Sequence, residues 1–265
     1  MKRILMVLAA TVICGACLFT SCKKDEDNSL KLEEKIIGKW IMMDMNGQPL
    51  PTNDKAVFTF TSVTEAYMSA SIQAHSELDN LWSLRTHYAV EISGSTVILT
   101  NVVNEHQTIK VELVVSSISA TEMQATMKNT MVVDGHETSS PAMPMRFAKV
   151  ADYSTAILGK WQGHCTSAGS VFDDGQEHRW EYRADGTYVY YAKDGDNWVP
   201  YGDDFAEYFV DGNLLCTRWR NSGEETENRE WWEISIDGTQ MHWTALREGE
   251  NGQRFTATFE MSKVN

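Results

Sequence analysis

The side chains of this 265-residue chain that could do chemistry are seven histidines, five cysteines and a large excess of carboxylates. Their spacing assembles no reactive centre. His75, His87, His106, His136, His164, His178 and His242 are scattered, and none pairs with another at metal-ligand spacing on one strand. His164 beside Cys165 supplies both halves of a thiol–imidazole pair. Neighbouring strand residues point to opposite faces, however, so the two cannot act together, and a structural histidine beside a buried thiol is the better reading. Asp194-Gly195-Asp196-Asn197 is oxygen-rich like a calcium loop, but the later bidentate glutamate is missing, which leaves a polar turn. Glu224, Glu225, Glu227 and Glu230 read as a solvated loop and strand start. No Gly-x-Ser-x-Gly and no phosphate loop occurs. The expectation is a non-enzyme with no metal and no cofactor.

Aromatic side chains carry the stronger signal. Seven of the nine tryptophans follow residue 156, and by alternation Trp161, Trp180, Trp219, Trp232 and Trp243 face one interior. Two readings stay open. The rings fill a narrow barrel, or they line a mouth that stacks on a flat or apolar ligand, a sugar ring or an aromatic metabolite. On the second reading Trp180, Tyr182, Tyr188, Tyr190, Trp219, Trp232 and Trp243 are the candidate ligand-binding residues.

These rings sit on strands. In Arg179-Trp180-Glu181-Tyr182-Arg183 charged and aromatic side chains alternate, which puts Trp180 and Tyr182 on a core face and the charges in water. Asp185-Gly186, Asp211-Gly212 and Asp237-Gly238 are hairpin signals. Trp232, Ile234 and Ile236 alternate, as do Met241, Trp243 and Ala245, and then Phe255, Ala257, Phe259 and Met261. No sustained helical period appears after the leader. The chain is also written twice. Ile36-Ile37-Gly38-Lys39-Trp40 returns as Ile157-Leu158-Gly159-Lys160-Trp161. Glu91–Gly94 matches Phe209–Gly212, Ile118–Met123 matches Ile236–Met241, and Phe147–Val150 matches Met261–Val264. Four matches in one order indicate duplicated domains, 33–150 and 156–265, joined by a linker short enough for them to touch.

A meander of about eight strands closes into a barrel, with a β-sandwich as the competing architecture. Gly38-Lys39-Trp40 and Gly159-Lys160-Trp161, each opening a meander, resemble the first-strand signature of the lipocalin or calycin family. The resemblance implies two tandem antiparallel up-and-down β-barrels, with Gly38, Trp40, Gly159 and Trp161 as structural residues and each tryptophan plugging a closed end. The family commonly sets a last-strand arginine against that tryptophan. Arg146 and Arg254 are the candidates here, and they do not align between the copies.

The leader sets the compartment. Lys2 and Arg3 precede an apolar run from Ile4 to Phe19, and Thr20-Ser21-Cys22 follows. That pattern reads as an export signal over residues 1–21. Cys22 resembles the acylated cysteine of a bacterial lipobox, which implies a lipid-modified (palmitate-type) mature end and a membrane held through that lipid. Cleavage before Cys17 would leave Leu18 and Phe19 exposed, and a plain secretory signal is the other alternative. Residues 22–32 form a charged tether. Asp25-Glu26-Asp27 resembles the export tag of Bacteroidetes lipoproteins, which implies the outer membrane and the cell surface. Without residues 1–21 the chain keeps 21 basic and 37 acidic side chains, a net charge of −16, which excludes a nucleic-acid partner. Of the cysteines after the leader, Cys165 shares the face of Trp161 and Cys216 that of Arg218 and Arg220, so one points inward, the other outward, and no disulfide is expected.

The leading function is a membrane-anchored, non-catalytic binding lipoprotein whose second barrel holds a small ligand. The rival is an interaction subunit with solid barrels that docks onto an envelope protein. Interior volume separates them.

Overall fold

Alternation becomes strands throughout. The computed structural model describes residues 32–70, 85–249 and 252–265. The leader, Cys22, most of the tether and Trp82 lie outside the described residues. After a helical turn, Leu32–Lys35, the first copy contains β1 (Gly38–Met45), β2 (Gln48–Pro49), β3 (Ala56–Phe60), β4 (Glu65–Ala70), β5 (Thr86–Ser93), β6 (Thr96–Asn104), β7 (Gln107–Ile118), β8 (Glu122–Val133), β9 (His136–Ser139) and β10 (Met143–Val150). Eight of these close an antiparallel barrel, because β10 pairs with both β8 and β1. Strands β2 and β9 are short additions outside the ring.

The second copy contains β11 (Gly159–Cys165), β12 (His178–Tyr182), β13 (Tyr188–Asp194), β14 (Asn197–Pro200), β15 (Asp203–Asp211), β16 (Leu214–Asn221), β17 (Asn228–Asp237), β18 (Gln240–Glu248) and β19 (Arg254–Val264). They form one curled sheet whose edges are β14 and β15. Its strands match the first barrel one for one, β14 being the insertion. The equivalent of the full β4–β5 ladder is here a single bridge, Thr187 to Glu207, supported by Tyr208 N–H donating to Gly186 O at 2.8 Å. The all-β expectation therefore holds, with a closed first barrel and a second that curls round but stays open along one seam.

The repeat is visible in backbone detail. Ile36 N–H donates to Leu32 O and Ile157 N–H to Tyr153 O, both at 3.0 Å. Lys149 N–H donates to Thr121 O and Lys263 N–H to Thr239 O, both at 2.8 Å. Each copy keeps its own buried core, one around Trp40, Phe58 and Phe147, the other around Trp161, Trp232 and Trp243.

A third cluster joins them. Ile41 and Val57 of the first barrel pack on Leu214, Cys216 and Trp231 of the second. Strand β3 is buried at every position, and Leu214–Thr217 likewise, as continuous apolar runs require when both faces are covered. Asp211, 2 % exposed, forms an ion pair with Lys39, accepts from Ser69 Oγ at 2.6 Å and lies 3.3 Å from Arg85 Nε. Lys55 pairs with Glu233 at 2.5 Å beside it. Cys216 points out of its own barrel, as alternation requires, and is buried by the other one. Cys165 and Cys216 are both free thiols. Burial, then the nearby Asp211 carboxylate, pushes the Cys216 thiol well up, which keeps it protonated and inert.

A candidate ligand cavity in the second barrel

The closed ends come first because they fix which end is open. Trp40 and Trp161 are both wholly buried, and each indole N–H donates at 2.6 Å to the carbonyl four residues back, Ile36 and Ile157. Lys149 and Lys263 lie over these rings at 5.1 Å. These lysines of the repeated terminal Lys-Val take the position that the family resemblance gives to an arginine. Arg146 instead pairs with Asp44, and Arg254 reaches Glu248 and Pro49 O. The glycines follow from the same arrangement. Gly38 and Gly159 have φ of +124° and +109°, and a Cβ there would approach the lysine Cε to 2.7 and 3.1 Å.

With Trp161 at the base, strand β11 runs to the opposite end. There the β11–β12 loop, the start of β15 and the end of β16 surround a cavity of about 300 Å³. All seven predicted residues line it: Trp180, Tyr182, Tyr188, Tyr190, Trp219, Trp232 and Trp243. The rings lie at different depths. Trp232 and Trp243 are almost fully buried with centroids 5.3 Å apart and complete the core. Trp180 lies 4.9 Å from Trp243 and 5.4 Å from Tyr190, stacks on His178 at 5.5 Å, and stays partly exposed. Trp198 is elsewhere, on β14, half-buried under the Arg179 guanidinium at 4.5 Å.

One sequence reading is corrected. Glu230 is not part of a solvated group. Its side chain enters the barrel, lines the cavity and accepts from Trp232 Nε1 at 3.0 Å. Burial raises its carboxyl above the usual range, and Arg247, the Trp232 hydrogen bond and His178 only partly oppose this. Arg247 also points into the barrel, its guanidinium 4.7 Å from the Trp232 centroid and 5.5 Å from that of Phe172, with Nε and Nη2 buried without a hydrogen-bond partner. Asp203 also lines the cavity. Its Oδ1 is buried without a hydrogen-bond partner, and burial, then Asp204, raises its carboxyl. At the rim burial raises Asp174 less than the Gln176 N–H and His178 lower it, so its net shift is downward.

Two more polar atoms, Tyr182 Oη and Trp243 Nε1, are buried unpaired on lining residues that are 1 % and 2 % exposed. Buried donors without partners are uncommon in a finished core. Burial and the neighbouring Tyr188, Glu230 and Tyr208 push the Tyr182 hydroxyl well up, so it is a proton donor at any physiological pH. Chemically the site offers ring faces and three carboxyls. His164 and Cys165 point apart as expected, His164 to solvent and Cys165 toward Ser167 and Ser170. Among the described residues, no three His, Cys, Asp or Glu side chains converge as a metal site.

The two barrel-like sheets with their Gly-x-Trp closed ends fit a calycin-like fold. No family model matches the chain, and no curated protein does. Among solved structures, a protein of unknown function of the DUF3598 family from Nostoc punctiforme is similar over 88 % of this chain and 97 % of its own. Its sequence identity is 9 % and the TM-score 0.27, too low to carry an argument.

Proposed function

We propose that this chain is an exported, non-catalytic binding lipoprotein, held at the outer membrane and cell surface by lipid on Cys22, whose second barrel binds a small ligand. The observation that carries the ligand reading is the ring-walled cavity of about 300 Å³, lined by Trp180, Trp219, Trp232 and Trp243 together with three carboxyls. A hollow, mouth-open interior favours binding over the rival docking role, which calls for a solid barrel. The compartment rests on the leader alone.

The test is thermal unfolding of the full chain against a panel of small aromatic, apolar and sugar compounds. At least one class should raise the melting temperature, since a ligand that binds only the folded state stabilises it by mass action. Thr217→Trp, which projects a ring into the cavity, should abolish that shift. A panel that shifts nothing would turn the reading toward the docking subunit.

A further inference from the structure

Taking the binding reading as its premise, we propose that the cavity takes an organic cation, an amine whose positive end meets Glu230 and whose flat body lies among the rings of Trp180, Trp232 and Trp243.

Charge decides against the other classes. The polar lining includes three carboxyls, Asp174, Asp203 and Glu230, and His178 is its only basic side chain. An anion would meet all three. A neutral apolar ligand would offset none of the negative charge that these carboxyls bring to the lining. A cation among aromatic faces gains from the ring quadrupoles as well as from the carboxylates, and gains most where water is excluded.

Depth orders the site. In the strand register Thr217 faces Glu230, while Asp203 faces Asn221 four residues nearer the mouth. Glu230 is thus the inner acid, level with Trp232, and Asp203 and Asp174 flank the entrance. The loop after Asn221 adds Glu224 and Glu225, both exposed, and such a rim draws cations inward. Arg247 and His178 both bear on Glu230; His178 is part of the lining, while the Arg247 guanidinium lies over the Trp232 and Phe172 rings and is not among the lining residues. The raised carboxyls agree with this geometry, since each is charged at a cost that a bound ammonium would offset.

The experiment is calorimetric titration of the full chain at neutral pH with three probes of one shape: tryptamine, neutral 3-propylindole and anionic indole-3-propionate. Tryptamine should bind at least about tenfold more tightly than 3-propylindole, a preference of ~1.4 kcal/mol. Indole-3-propionate should bind weakest. Glu230→Gln should remove most of the preference while leaving 3-propylindole binding intact. Asp203→Asn should lower it less, and it serves as the test if Glu230→Gln does not fold. Equal binding of tryptamine and 3-propylindole, or tighter binding of the anion, overturns the cation assignment and leaves the binding reading standing. A preference for tryptamine that survives in the variants overturns the role of the carboxyls. Binding of none of the three overturns the cation assignment, and the binding reading then falls only if the wider panel also shifts nothing.

Discussion

Replacing Trp161 with alanine removes the largest side chain at the base of the second barrel. The residue is wholly buried, its N–H donates to Ile157 O at 2.6 Å, and Lys263 lies over the ring at 5.1 Å. Truncating a buried tryptophan costs about 3–5 kcal/mol through lost transfer energy and the cavity left behind. The Ile157 carbonyl also loses its partner, which keeps the cost toward the upper part of that range. Trp198 is the control. It is half-buried under Arg179, and an exposed cation–π contact is worth about 0.5–1 kcal/mol. The two substitutions should therefore differ by about 2–4 kcal/mol, which at a urea slope of about 1–3 kcal/mol/M separates their midpoints by roughly 1–3 M. Far-ultraviolet circular dichroism is the suitable probe, because either substitution alters tryptophan fluorescence. Trp40→Ala should reproduce the effect of Trp161→Ala in the first barrel. Equal midpoints for Trp161→Ala and Trp198→Ala would refute the plug, and with it the closed-end reading of Gly-x-Trp.

Three other outcomes are expected. Because burial raises the Glu230 carboxyl in the folded protein, its contribution to stability is fully present below the unfolded value and is lost as pH rises through the folded one. Glu230→Gln should accordingly gain thermal stability relative to the parent as pH rises from 4 toward 7, and a gain only at low pH would contradict the sign. Asp211→Ala removes the buried carboxylate that Lys39, Ser69 and Arg85 share at the seam, leaves Lys39 with Asp152, and should destabilise by about 1–3 kcal/mol in chemical unfolding; a loss under 1 kcal/mol would mean the ion pair is solvated. Cys22→Ala should move the protein from the membrane to the soluble fraction after a high-salt wash, and its retention there would place the anchor elsewhere.

Much of the site was legible because strands reveal their faces. Alternation around Trp180, Trp232 and Trp243 put all seven rings on one interior, and the Asp-Gly turns bounded the hairpins. The same rule, carried two residues back from Trp232 and two past Ala245, points Glu230 and Arg247 inward. Three neighbouring glutamates hid the first, and an expectation that charges face water hid the second. Asp203 was harder, since a backbone irregularity between Asp203 and Phe205 interrupts the register there. Lys149 and Lys263 stood in a recognised repeat, yet the arginine of the family pattern drew attention away from them. The burial of Cys216 and Trp231 was out of reach, because it depends on the other barrel rather than on their own strands. Likewise no local signal said that β14 would leave the second sheet open beside β13.

The central claim, a ligand in the open end of the second barrel, is tested most directly by nuclear magnetic resonance of the full chain with ¹⁵N-labelled tryptophan indoles. Each tryptophan of the described residues reports from a known place. Titration with tryptamine should shift the Nε1–H signals of Trp180, Trp219, Trp232 and Trp243, whose rings line the cavity. The signals of Trp40 and Trp161, each held by a carbonyl at a closed end, should stay in place. Shifts confined to Trp198, or spread evenly over all the indoles, would contradict a cavity-bound ligand.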